Sequence, residues 1–299
     1  MKILFIGAAG FIGRNCIRYL QQKQYEISGA DIIPLESTLT TFILEKQNSD
    51  FSEIFRLNSF DVCINASGAA SVPYSLENPQ VDFELNTFNV IKILEAIRIY
   101  NPSCFFINFS SAAVYGNPEA LPVVESMNAA PMSPYGWHKF YAEQICKEYS
   151  HFFNIKVCNL RVFSAFGPGL KKQFFWDLFH KLKNHQDVEL FGTGNESRDF
   201  IYVNDIAKCV ELIIENRFSI PETINVASGI ETSISEAAHI FVELLNMGNQ
   251  FRFSGEVRPG DPINWKADIE VLRSIGFEPS YTLKQGLEEY ILWLRNQPK

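Results

Sequence analysis

A chain of 299 residues is long enough for one large core or two unequal ones. With 46% apolar and 20% charged residues it has an ordinary globular balance, which excludes a chain that stays disordered. The formal net charge is −8 and no run of basic residues exceeds the pair Lys171 and Lys172, so nothing attracts the chain to phosphate backbones or anionic lipid, and neither nucleic acid nor a membrane surface is an expected partner.

The opening MKILFIGAAGFIG has the outline of a signal sequence, but glycines at steps of three read better as a strand and a turn. No apolar run reaches the roughly 18 residues of a membrane span. Lys2 to Ile6 is a short apolar strand, Phe11 to Gln22 has helical spacing, and Tyr25 to Ala30 is strand-like, which makes one βαβ unit. Thr41 to Leu44 is expected as a strand, Phe51 to Leu57 as a short helix and Asp61 to Ala66 as a buried strand. A loop around Pro73 and Pro79 leads to a long amphipathic helix over Val81 to Tyr100, then a strand over Cys104 to Phe109. After a loop ending near residue 134 come a helix over Tyr135 to Phe153 and a strand over Lys156 to Val162. Beyond Gly167–Pro168–Gly169 the alternation loosens, with helices near 174–184, 204–216, 233–245 and 283–296 and a turn at Arg258–Pro259–Gly260–Asp261. Strands alternating with helices predict a doubly wound parallel sheet.

Cys16, Cys63, Cys104, Cys146, Cys158 and Cys209 lie far apart without a C-x-x-C, and most sit in apolar runs. They read as buried reduced thiols, which fits a cytoplasmic location. The histidines show no metal-ligand spacing, so no metal is expected.

Gly7-x-x-Gly10-x-x-Gly13 follows a strand and opens a helix. Glycine there lets backbone N–H groups and the positive helix end approach a pyrophosphate. Asp31 ends the second strand, where a carboxylate accepts from ribose hydroxyls and repels a 2′-phosphate. NAD is therefore expected over NADP, although Arg14 could offset that repulsion. Tyr135 and Lys139 lie one helical turn apart, after the hydroxyl pair Ser110 and Ser111 at a strand end. The same spacing at Tyr19 and Lys23 reads as an exposed surface pair. For hydride transfer at a carbinol carbon, the tyrosine must lose its proton near pH 7, about 3 units or roughly 4 kcal/mol from its ordinary state. Lys139 and the positive ring of an oxidised nicotinamide would favour that, while Ser111 steadies charge on the same oxygen.

Five motifs follow in order: the glycine turn, Ser110–Ser111–Ala112–Ala113–Val114–Tyr115–Gly116, Tyr135-x-x-x-Lys139, Arg198–Asp199–Phe200–Ile201–Tyr202–Val203–Asn204–Asp205, and Arg258–Pro259–Gly260–Asp261. Together they resemble the extended short-chain dehydrogenase/reductases that act on nucleotide sugars. The resemblance implies an α/β fold with a Rossmann dinucleotide-binding domain over residues 1–167. It also implies a smaller C-terminal α/β substrate lobe over 168–299, some of whose elements return to the Rossmann sheet. It further implies a nucleotide-diphosphate sugar as partner, polysaccharide precursor synthesis as setting, and a homodimer built from the helices at 81–100 and 135–153.

By the same resemblance Ser111, Tyr135 and Lys139 are the catalytic trio. Expected at the cofactor are Gly7, Gly10, Phe11, Ile12, Gly13, Asp31, Ile32, Ser67, Gly68, Asn86 and Ser110, together with Tyr135 and Lys139. Expected at the sugar nucleotide are Ser164, Lys172, Arg198, Arg258, Asp261 and Trp265, the arginines holding the diphosphate and Trp265 limiting bulk on the sugar. Surface salt bridges and a packed tryptophan are the alternatives there.

Ala112 and Ala113 stand where related dehydratases carry Asp and Glu, which argues against a 4,6-dehydratase. Decarboxylation, and the double epimerisation and reduction that yields an activated fucose, lose their acid/base groups in the same way. What remains is a nucleotide-sugar 4-epimerase, the reading taken here, or an NAD(P)H-dependent 4-keto-6-deoxy sugar reductase. Ser164, in place of the asparagine usual in epimerases, points to the reductase. A sensor that binds the dinucleotide without turnover is a third reading, opposed by the intact trio.

Overall fold

Residues 3 to 6 are all buried, which suits a strand covered on both faces. The computed structural model describes residues 1–35, 39–45, 49–248, 250–256 and 262–297. Strand β1 (Lys2–Ile6) passes through a turn into α1 (Phe11–Leu20), then β2 (Glu26–Asp31), β3 (Thr40–Ile43), α2 (Ser52–Leu57) and β4 (Val62–Asn65). Helices α3 (Val72–Glu77) and α4 (Pro79–Phe83) follow. A π-helical turn over Glu84–Phe88 then feeds α5 (Asn89–Tyr100), β5 (Phe105–Ser111) and a 3-10 turn over Ala112–Tyr115. Next come α6 (Pro134–Phe153), β6 (Val157–Val162), β7 (Ser164–Phe166), α7 (Gln173–Asn184), β8 (Asp187–Leu190), β9 (Ser197–Tyr202) and α8 (Val203–Glu215). The chain continues through β10 (Thr223–Val226), β11 (Glu231–Ser233), α9 (Ile234–Leu245), β12 (Gln250–Phe253), α10 (Glu270–Ser274) and α11 (Leu283–Arg295).

Seven strands form one sheet in the order β10-β6-β5-β4-β1-β2-β3, with every neighbouring pair parallel. This is the doubly wound Rossmann arrangement. Alternation along β1 sends Ile3 and Phe5 to the face covered by α1 and α8, and Leu4 and Ile6 to the face covered by α2, α5 and α6. Each such buried side chain contributes about 1.5–3 kcal/mol. The three-stranded sheet β11-β9-β7, the pair β12-β8 and helices α7, α9 and α11 enclose a separate apolar cluster. Strand β10, from the second half of the chain, pairs with β6 in the main sheet.

Three expectations change. The segment near Pro73 is helical: Ser71 caps α3 by accepting from the Tyr74 N–H, and Pro73 sits in the first turn, where its missing N–H costs nothing. The amphipathic run over 81–100 is broken by the π-helical turn, a wider turn that often marks a functional position. Tyr19 and Lys23 also differ from a free surface pair, because Glu211 of α8 takes both, at 2.9 Å and 3.0 Å. All six cysteines are free and buried, and burial pushes the Cys16 thiol up to about 12. Among the described residues no helix is long and apolar enough to cross a membrane, and no cluster of His, Cys, Asp or Glu could hold a metal ion.

One carboxylate fastens the smaller sheet to the segment before α10. Asp199 is fully buried and accepts from the Ser228 N–H and hydroxyl at 2.8 Å and 2.7 Å, the Gly229 N–H at 3.0 Å and the Ala267 N–H at 3.1 Å. Asp199→Ala would strand several buried donors, so chemical denaturation should show a loss of roughly 3 kcal/mol or more. A loss within measurement error would mean that these donors find water.

Candidate active site

The glycine turn is shaped by how closely α1 approaches β1. A Cβ on Gly13 would stand 2.3 Å from the Gly7 carbonyl oxygen, and Gly7 itself has φ +80° beside the backbone of Ala66 and Ser67. Asp31 Oδ2 accepts from the Ala9 N–H at 2.8 Å and Oδ1 from the Ile32 N–H at 2.7 Å, so the carboxylate is already oriented at the edge of the turn. Phe11 turns its ring into the apolar cluster of the C-terminal lobe, leaving its backbone to face the turn, and Ile12 packs on the main core. Ser67 donates its hydroxyl to Asn65 Oδ1 at 2.6 Å.

Asn86 stands apart. Its residue is 2% exposed, yet among the described residues neither Oδ1 nor Nδ2 has a hydrogen-bond partner, and a Cβ on Gly68 (φ +111°) would meet Oδ1 at 2.4 Å. A buried amide left unpaired costs about 1–3 kcal/mol. An amide or hydroxyl-rich group resting over Gly68 would satisfy it, as the carboxamide or ribose of a nicotinamide dinucleotide would. The residues present therefore fit that cofactor.

Ser111, Tyr135 and Lys139 meet at the carboxyl end of β5. Helix α6 begins there because Ser133 accepts from the Gly136 N–H at 3.2 Å and Pro134 occupies the first turn. The Tyr135 N–H donates to the Ser75 hydroxyl of α3 at 3.1 Å. Burial pushes the Tyr135 phenol up to about 12, opposed by its hydrogen bond with Ser111. Lys139 is 6% exposed, donates to the Phe109 carbonyl at 2.8 Å and lies 6.0 Å from the centre of the Tyr135 ring. Burial lowers its ammonium to about 8, with Asp82 and Glu143 opposing. The Ser110 hydroxyl is drawn the other way, to Glu143 Oε1 at 2.5 Å. Glu143 also grips Arg161 through two bonds of 3.0 Å and 2.7 Å. Sequence reasoning missed Glu143, although a carboxylate four positions after Lys139 shares its helical face.

On the substrate side, Lys172 reaches across to the Ala70 carbonyl at 3.0 Å and burial lowers its ammonium. Arg198 donates to the carbonyls of Ser197 and Ile263 and lies over the Trp265 ring at 5.6 Å. The Trp265 indole donates to the Gly116 carbonyl at 3.0 Å and lines a small pocket with Val72, Ala113, Gly116, Met132, Ser133 and Pro262. Ser164 opens β7 opposite Phe200. Arg258 and Asp261 lie outside the described residues.

A family model described as the NAD dependent epimerase/dehydratase family matches residues 3–227. The chain belongs to this family. Among its relatives is the "Putative UDP-glucose 4-epimerase" of Methanocaldococcus jannaschii, 30% identical over 98% of both chains. Among solved structures, the UDP-N-acetylglucosamine 4-epimerase of Methanobrevibacter ruminantium, in complex with UDP-N-acetylmuramic acid, superposes with a TM-score of 0.89 at 27% identity over 99% of both chains. The UDP-glucuronic acid 4-epimerase of Bacillus cereus, in complex with UDP-glucuronic acid and NAD, gives 0.89 at 26% identity over 99% of both chains.

As a member of the NAD dependent epimerase/dehydratase family the chain is an NAD-dependent enzyme, and burying Lys139 carries a measurable cost. Its folded value of about 8 lies below the ordinary 10.5, so the unfolded chain binds the proton more tightly and stability through this group rises as pH climbs from 8 to 10.5. Lys139→Met removes that dependence. Any stability advantage of the variant over the wild type at pH 7 should shrink by about 3 kcal/mol by pH 10.5 in parallel denaturation curves. Parallel pH dependences would show that Lys139 is not held this way.

Proposed function

We propose that this chain is an NAD-dependent 4-epimerase of a nucleotide-diphosphate sugar. One observation carries the reading: Ser111, Tyr135 and Lys139 converge at a strand end, while the buried amide of Asn86 has no partner among the described residues. Residues 1–167 would hold NAD and residues 168–299 mainly the sugar nucleotide. Gly7, Gly10 and Gly13 with the backbone of Phe11 and Ile12 would take the pyrophosphate. Asp31 and Ile32 would take the adenosine ribose, and Asn86, Gly68 and Ser67 the nicotinamide half. When bound, NAD would supply a reversible acceptor for the hydride of the sugar's C4.

The chain's own part is proton handling and orientation. Tyr135 takes the C4 hydroxyl proton through its phenolic oxygen as the C4–H bond breaks, leaving a ketone, and returns that proton when hydride reaches the opposite face. Ser111 hydrogen-bonds the same sugar oxygen, where charge develops. Lys139 would lower the cost of the phenolate, which burial and the Asp82 charge set against it. Arg198 and Lys172 supply cationic charge toward a diphosphate, and Trp265 with Ser164 would border the sugar. No carboxylate stands at Ala112 or Ala113, so neither position can protonate or deprotonate a sugar carbon. That leaves hydride and hydroxyl chemistry alone. The relatives named above carry the names of 4-epimerases or of a putative one, which favours inversion over one-way reduction.

The purified chain should carry NAD and interconvert UDP-glucose and UDP-galactose without added cofactor, and Tyr135→Phe should reduce the rate by about 10²–10⁴-fold. The bulk of Trp265 should make the 2-acetamido nucleotide sugars poorer substrates. An empty chain that consumes NADH or NADPH with a 4-keto-6-deoxy sugar nucleotide would instead establish the reductase.

We also propose a homodimer through α4, α5 and α6, whose surface leaves Val81, Phe83, Phe88, Trp137 and Tyr141 exposed together with Ile99 and Tyr100. Trp137→Glu should convert a dimer to a monomer in sedimentation. An unchanged mass would remove this face from consideration.

A further inference from the structure

We propose that Asp82 and His138 form a buried positioning pair that holds the Tyr135 and Lys139 face of α6 and sets the electrical potential at both groups. The kinetic part of the proposal rests on the epimerase reading above; the structural part does not.

Asp82 of α4 has no exposed surface, which an acidic residue almost never shows unless paired. Its Oδ2 lies 2.6 Å from His138 Nδ1, while Oδ1 has no hydrogen-bond partner among the described residues. His138 falls between Tyr135 and Lys139 on the same turn of helix, where positions three and four apart share a face. The His138 carbonyl accepts from the Thr87 hydroxyl at 2.8 Å, and its ring meets the edge of Phe83 at 5.4 Å. Thr87 belongs to the π-helical turn that also carries Asn86. The pair therefore joins the segment bearing the unpartnered amide to the helix bearing the phenol and the ammonium.

Its charge acts on both groups in one direction. Asp82 favours the ammonium of Lys139 and opposes the phenolate of Tyr135. The other groups facing them are Glu143 on α6, which favours the ammonium but is shared with Arg161, Lys172 from the segment before α7, which opposes it, and the Ser111 hydroxyl from β5. Removing Asp82 should thus move both titrations to lower pH, whereas loosened packing has no reason to move them together.

The test is a side-chain NMR titration of lysine-labelled full-length protein as purified, with the Lys139 signal identified by its loss in Lys139→Met. Asp82→Asn should lower the Lys139 midpoint by about one pH unit. Replacing both members together, Asp82→Leu with His138→Phe, exchanges the pair for apolar groups without leaving a buried orphan, so it keeps the test open if the single variant does not fold. It should lower the midpoint as well. In the pH profile of C4 inversion both limbs should slide to lower pH in either variant. An unchanged Lys139 midpoint in either folded variant, or limbs moving in opposite directions, would overturn the proposal. The titration needs no turnover, so a wild type without epimerase activity would remove the functional reading and leave this test standing.

Discussion

An ammonium group inside the protein is the constraint around which the candidate site is arranged. Lys139 leaves 6% of its surface to solvent, so its charge has to be satisfied by fixed neighbours. The Phe109 carbonyl accepts from it, and Asp82 and Glu143 supply opposing charge. Each neighbour sits on a different element, which obliges β5, α4 and α6 to keep their mutual places. The Ser133 cap, the Ser75 contact at Tyr135 and the Glu143 grip on Arg161 fix the helix lengthwise as well. A site that tolerates a buried cation must be rigid, and rigidity also suits a phenol that handles one proton in both directions.

The parallel sheet could be read from the sequence because its strands are covered on both faces and carry short apolar runs, such as Ile3 to Ile6 and Val62 to Ile64. The helices at 173–184, 203–215, 234–245 and 283–295 stood out for the opposite reason, an apolar stripe at helical spacing. The π-helical turn left no such trace, because one wider turn barely disturbs a periodicity spread over the whole run from Val81 to Tyr100. Helix α3 was hidden by Pro73, which marks a loop or a first helical turn equally well.

The trio and the glycine turn could be found because each is a short local pattern. What supports them is not local. Asp82 and His138 are 56 positions apart, and Ser75 and Tyr135 are 60 apart. Glu143 meets Arg161 from the next strand. No spacing rule ties such residues together; only the fold does. Asp199 shows the same limit from within a motif: it is adjacent to Arg198 in sequence, yet its carboxylate is spent entirely on backbone and hydroxyl donors of other segments.

Phe11 stands at the first position of α1, and its partly buried ring packs against the apolar cluster of the C-terminal half. One turn further along, the Asn15 amide donates to the Pro168 carbonyl at 3.0 Å. The turn proposed to receive the pyrophosphate is thus riveted to the lobe proposed to hold the sugar nucleotide. Departure of a dinucleotide from that turn would then have to wait for the joint to yield, so the molecule that takes the hydride would still be in place to return it.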